Sequence, residues 1–166
     1  MRLQVFLSTA CALVYFVRAG SSNVANTGEI CVTPNNERSA NCSRITLMYF
    51  YNETIKMCQH IRWTGCDRKG VFKTRHECVT NCSKDQGAPF CATSPPSPCE
   101  ETETRRSRVR FYYNITAQKC QPYNFCGEKQ NLLNNNYFVA KGYCLKQCGG
   151  FDESTAKTNI ALKAVE

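Results

Sequence analysis

The sequence predicts a small disulfide-rich α+β protein made of two tandem units. Each unit is read as a twisted β-hairpin and a short C-terminal helix, stapled by three disulfides. Three observations carry this reading. Behind an export signal the chain keeps twelve cysteines, an even and dense set. They divide into two sets of six. Cys31, Cys42, Cys58, Cys66, Cys78 and Cys82 are separated by 10, 15, 7, 11 and 3 residues, and Cys91, Cys99, Cys120, Cys126, Cys144 and Cys148 by 7, 20, 5, 17 and 3. An aromatic segment recurs with them, MYFYNETIKMC at 48–58 and RFYYNITAQKC at 110–120, each ending on the third cysteine of its set.

The chain opens MRLQVFLSTACALVYFVRAG. Arg2, an apolar run and the small residues near Ala19 and Gly20 form the charged, apolar and cleavage regions of a secretory signal. An apolar run of about 15 residues is short for a bilayer span. Residues 1–19 are therefore expected to be removed, residues 20–30 to form an N-terminal segment, and the product to be secreted and extracellular. Without Arg2, Arg18 and Cys11, 19 Lys and Arg face 13 Asp and Glu, a net charge of +6. In an oxidising compartment the twelve cysteines pair with one another. Zinc would call for C-x2-C pairs, which the chain lacks, so neither a metal nor another cofactor is expected. No nucleic-acid partner and no membrane span are expected, and the protein is expected to be a monomer.

The first unit spans 31–82. In LMYFYNETIKMCQHIRW (47–63), aromatic and apolar stretches flank Asn52-Glu53-Thr54, the pattern of a β-hairpin. Thr74 through Glu77 form a capping box, which opens a short helix. Cys78 and Cys82 lie four apart on that helix and share a face. The segment 83–90, SKDQGAPF, reads as a linker through its Gly and Pro. The second unit spans 91–148 and repeats the hairpin and helix. Its helix start is poorer, with Ala140 at the cap and Gly142 behind it. Residues 149–166 open on Gly-Gly and read as a flexible C-terminal tail. Units of this size bury little apolar surface. Three disulfides each, at about 2–4 kcal/mol apiece, offset that deficit. Asn41, Asn52, Asn81 and Asn114 are N-x-[ST] glycosylation candidates.

The order of six cysteines, the aromatic hairpin ending in Tyr-Asn, a Phe six residues before the fifth cysteine and the terminal C-x3-C together resemble the Kunitz (pancreatic trypsin inhibitor) family. W-T-G-C at 63–66 is similar to the family's aromatic-G-G-C. Six cysteines allow 15 pairings. The resemblance implies first–sixth, second–fourth and third–fifth: Cys31–Cys82, Cys42–Cys66 and Cys58–Cys78, then Cys91–Cys148, Cys99–Cys126 and Cys120–Cys144. It also implies a rigid binding loop through the second cysteine, with the next residue entering a protease specificity pocket. Rigidity supplies affinity because such a loop loses little entropy on docking.

Both loops depart from that pattern. After Cys42 comes Ser43, too small for a trypsin-like pocket, and then Arg44. Ala40 and Thr64 replace glycines that inhibitors usually carry, two extra residues separate Cys31 from Cys42, and the Asn41 sequon falls on the loop itself. In the second unit the pocket residue is Glu100 counted forward from Cys99, and Arg105 counted back from RFYYN. The difference is a five-residue insertion, EETET. The Cys120–Cys126 interval shrinks to QPYNF and loses its Gly-Gly, while Asn136-x-Phe138 persists.

Two such units behind a signal peptide resemble the secreted anticoagulants of tick saliva, of the tissue factor pathway inhibitor type. That resemblance implies a serine protease inhibitor that takes factor X or Xa as scaffold and blocks factor VIIa–tissue factor, mainly through an exosite. Exosite candidates are Glu100, Glu101 and Glu103, with Arg106, Arg108 and Arg110 on one face of a strand. Arginine suits paired contacts to carboxylates. A solvated loop with internal charge pairing, each pair under about 1 kcal/mol, is the plainer alternative. A second reading is direct inhibition of a trypsin-like protease through Arg44 or Arg105. A third is a Kunitz toxin acting on an ion channel or a glycosaminoglycan, given a net charge of +4 on each unit. The protein is not expected to be an enzyme: His60 and His76 are its two histidines, and no nucleophile motif accompanies them.

Overall fold

The computed structural model describes residues 30–35, 42, 45–100, 107–128 and 134–157. In the first six-cysteine half, β1 (Thr46–Asn52) and β2 (Met57–Trp63) form an antiparallel hairpin with Tyr49 opposite His60. A two-residue strand, β3 (Val71–Phe72), adds to the far edge of β1. Helix α1 (Arg75–Cys82) follows. In the second half, β4 (Arg108–Asn114) and β5 (Lys119–Phe125) pair with Arg110 opposite Tyr123, and helix α2 (Lys141–Cys148) closes the half. A single bridge, Phe111 to Phe138, stands where β3 stands in the first half.

The two hairpin turns are built alike. The Asn52 carboxamide oxygen accepts from the N–H of Thr54 and Ile55, and the Asn114 oxygen accepts from Ala117 N–H. Such side-chain turns are a habit of asparagine. The two helix starts differ. The Thr74 hydroxyl accepts from Glu77 N–H at 3.1 Å, while the Glu77 carboxylate accepts from Lys73 N–H at 2.9 Å. Ala140 offers no side-chain cap. The helix it precedes is held by two cysteines, Cys144 and Cys148, each fully buried and bridged.

Six disulfides staple the chain: Cys31–Cys82, Cys42–Cys66, Cys58–Cys78, Cys91–Cys148, Cys99–Cys126 and Cys120–Cys144. Every bridge stays within its own half. The apolar packing does not. One buried cluster holds Tyr49, Cys58, Phe72, Cys78 and Val79 together with Ala88, Cys91, Tyr113, Phe138, Cys144 and Phe151.

One expectation needs correction here, the flexible tail after Cys148, and the segment 83–90 that joins the halves is itself packed. Gln86 and Ala88 are buried, and the Gln86 carboxamide both accepts from Cys58 N–H (2.6 Å) and donates to Cys58 C=O (2.9 Å). That fork satisfies the backbone of β2, which is an edge strand, where a strand neighbour would otherwise be needed. The residues after Cys148 are not free either, as far as Lys157. Phe151 is fully buried, its carbonyl accepts from the Tyr113 hydroxyl at 2.7 Å, and Ala156 C=O accepts from Ala88 N–H. The Asp152 carboxylate accepts from the N–H and hydroxyl of both Ser154 and Thr155, which holds it well below the usual carboxylate range. Phe151 supplies the reason for the packing. Burial of its ring, together with the hydrogen bonds of Tyr113, Asp152 and Ala156, offsets the entropy of ordering the segment. Gly87 (φ +59°) accommodates the return, since a Cβ there would meet Lys157 C=O at 2.1 Å. Residues 158–166 lie outside the described part.

Candidate functional site

The candidate site of each half is the loop through its second cysteine. In the second half the foot of that loop is well built. Pro98 bridges to Phe125, Cys99 N–H donates to Asn124 C=O at 2.9 Å, and Cys126 N–H donates to Ser97 C=O at 3.1 Å. The approach to the loop thus runs as a short extra strand along the end of β5, with the Cys99–Cys126 bridge across it. Gly127 is forced by this closeness, because a Cβ there would meet Ser97 at 2.7 Å. Glu100 is exposed and leaves this foot directly after the cysteine. The chain returns at Ser107 and enters β4 at Arg108. Glu101, Glu103, Arg105 and Arg106 lie outside the described residues.

Arg108 and Arg110 stand two apart on β4 and so share a face. Their surroundings differ. Arg108 is exposed. Arg110 is half-buried: its Nε donates to the Tyr137 hydroxyl at 2.7 Å, one Nη donates to Val109 C=O, and the guanidinium lies 5.9 Å from the Tyr137 ring centre. Arg110, one of the exosite candidates, is thus partly engaged within its own half, by Tyr137 and by the Val109 carbonyl. Around it runs an aromatic ladder that the sequence reading missed. Tyr112 meets Tyr123 edge to face at 5.8 Å, Tyr123 meets Phe125 at 6.4 Å, and Phe125 meets Tyr137 at 4.8 Å. Burial, and then neighbouring Tyr137, push the Tyr123 hydroxyl up to about 12 against the pull of Arg110, and that hydroxyl donates to Pro96 C=O. The ladder stiffens the foot from below. Its signal was present in sequence as aromatics at alternate positions, Tyr123 and Phe125, which pair with Arg110 and Arg108 across the hairpin.

In the first half, Cys42 is tied to an exposed Cys66, and Ser43, Arg44 and Asn41 lie outside the described residues. Gly65 sits under the buried Trp63 ring, where a Cβ would come to 2.7 Å. The other three sequons are described. Asn81 is exposed and its Nδ2 donates to Glu77 C=O. The Nδ2 atoms of Asn52 and Asn114 donate to Gln59 and Gln121. His60 is exposed on β2, and His76 packs its ring edge-on against Phe151 at 4.9 Å. Among the described residues no group of His, Cys, Asp and Glu could hold a metal ion, and no helix is long and apolar enough to cross a membrane.

In each half a disulfide-stapled hairpin and helix carry a loop through a bridged cysteine. The particular family follows from sequence comparison: residues 30–83 match the Kunitz/Bovine pancreatic trypsin inhibitor domain. That family is one of inhibitors rather than enzymes. The chain is similar to the tissue factor pathway inhibitor of Rattus norvegicus, 26% identical over 143 residues, which cover 64% of this chain and 46% of that protein. It is also similar to the Kunitz-type serine protease inhibitor bitisilin-3 of Bitis gabonica, 28% identical over 109 residues, or 64% of each chain. Among solved structures it is similar to ixolaris, studied by NMR together with its interaction with factor X. That likeness has 22% identity, covers 74% of this chain and 96% of that one, and gives a TM-score of 0.26. The chain thus spans less than two thirds of the length of these first curated relatives.

Proposed function

We propose that this is a secreted inhibitor of two tandem Kunitz units, residues 31–82 and 91–148. It binds a serine protease or zymogen of blood coagulation and acts mainly from outside the active site. The partner we assign is factor X or Xa, used as a scaffold to block factor VIIa–tissue factor. The likeness to tissue factor pathway inhibitor supports the coagulation setting. One observation carries the exosite reading: Glu100 is the residue that leaves the pinned foot directly after Cys99, and it is exposed. A glutamate at that position is repelled by the acidic floor of a trypsin-like pocket. The same charge, with Glu101 and Glu103, suits a basic surface on the partner, where complementary charge raises the association rate.

The test is the triple substitution Glu100→Gln, Glu101→Gln and Glu103→Gln. Association of the variant with factor X is expected to slow by about tenfold at low salt, with a smaller change at high salt, where exposed charges are screened. Stopped-flow or surface-plasmon measurements at two salt concentrations read this directly. An unchanged association rate at low salt would remove the acidic insertion from the mechanism.

A further inference from the structure

The strongest feature outside the loops is the contact between the two halves. Arg75 opens α1, yet its guanidinium also meets groups from beyond the first unit. It lies 5.7 Å from the ring centre of Tyr49 in its own half and 5.3 Å from that of Phe90. Its Nε donates to Gln147 Oε1 on α2 at 2.9 Å, and Gln147 Nε2 in turn donates to the Tyr143 hydroxyl at 2.8 Å. Gln147 is 5% exposed and Arg75 is half-buried, so the bond is part-buried. Other bonds cross the same seam. Lys146 Nζ donates to Leu47 C=O at 2.5 Å, Ala88 N–H donates to Ala156 C=O, and the His76 ring abuts Phe151. Neither Cys42–Cys66 nor Cys99–Cys126, the bridges that anchor the loops, takes part in these contacts.

We infer that Arg75 is a positioning residue that locks the two units into one rigid body and so fixes the placement of one loop relative to the other. A planar guanidinium held between two rings and one carboxamide has few alternative seats, and a lysine reproduces neither the stacking nor the fork. Domains joined by a small polar contact are ordinarily free to move. Here the buried cluster runs through the seam. The functional consequence rests on the reading that the units serve two partner surfaces. A fixed span between two binding loops makes the second contact effectively intramolecular, and that gain is lost when the geometry is.

The test uses the full secreted chain, labelled for NMR. Residual dipolar couplings from residues 46–82 and from residues 108–148 are expected to fit one common alignment tensor. In Arg75→Met the two sets should need separate tensors, while amide spectra away from the seam stay unchanged. Gln147→Met removes the same hydrogen bond from the other side and should have the same effect, and the double variant should be no worse than either single one. Two tensors in the unmodified protein would overturn the inference, as would one tensor retained in both variants. A parallel assay separates this from the functional proposal. Binding of Arg75→Met to factor X alone should change less than about threefold, while inhibition of factor VIIa–tissue factor should weaken by about tenfold or more. A single tensor with no coagulation activity would leave the rigid joint standing and remove only its proposed use.

Discussion

Replacing Asn136 with alanine is expected to destabilise the second half by about 3–5 kcal/mol, the range seen when a buried hydrogen-bond network is broken. Asn136 is fully buried. Its Oδ1 accepts from Tyr113 N–H at 2.7 Å, and its Nδ2 donates to Tyr113 C=O at 2.8 Å and Thr93 C=O at 2.7 Å, with a longer contact of 3.4 Å to Cys91 C=O. One side chain therefore serves the backbone of β4 and the start of the unit together. Alanine would leave the backbone groups of Tyr113 buried and unpaired, which costs more than the net worth of the bonds. The first half does without this device. Two residues before Phe72 it has Gly70, at φ +74°, where a Cβ would come within 2.9 Å of Val32 C=O. Urea unfolding with disulfides intact, followed by near-UV dichroism, measures the loss. A change below about 1 kcal/mol would show that the network is dispensable.

Removing the Cys91–Cys148 bridge by double alanine substitution is the second large effect. The bridge closes a segment of 57 residues, and chain-entropy arguments give it about 4 kcal/mol. Both cysteines are fully buried in the cluster that joins the halves, so packing is lost as well. The Cys42–Cys66 bridge closes only 24 residues and has an exposed Cys66. Its removal is expected to cost less stability while disturbing the first loop more. Differential scanning calorimetry should show a fall in Tm of about 8–16 °C for the first pair, in proportion to its free energy, and a smaller one for the second. The reverse order would contradict the placement of the core.

Much of the fold is legible in sequence because its signals are local. The aromatic runs before Cys58 and Cys120 and the Asn-centred turns specify two hairpins, and Thr74 with Glu77 marks the start of α1. What the sequence hides is long-range. Gln86 resembles any polar linker residue until it is seen bonding both backbone groups of Cys58. Arg75 looks like one more surface cation, and its partner Gln147 lies 72 residues away. Phe151 follows a Gly-Gly that suggests freedom, and only the pocket waiting for its ring decides otherwise. The site divides in the same way. Alternation alone puts Arg108 and Arg110 on one face of β4, but the engagement of Arg110 by Tyr137 depends on a residue 27 positions downstream.

The central claim is that this molecule acts on coagulation from a surface outside the active site. Two rates measured on the same protein test it most directly: hydrolysis of a small peptide substrate by factor Xa, and activation of factor X by factor VIIa–tissue factor with active-site-blocked factor Xa as scaffold. The account predicts that activation is inhibited while peptide hydrolysis proceeds at its normal rate. Loss of peptide hydrolysis would place Arg44 or Arg105 in the specificity pocket and contradict the exosite mechanism. No effect on either rate would remove coagulation as the target.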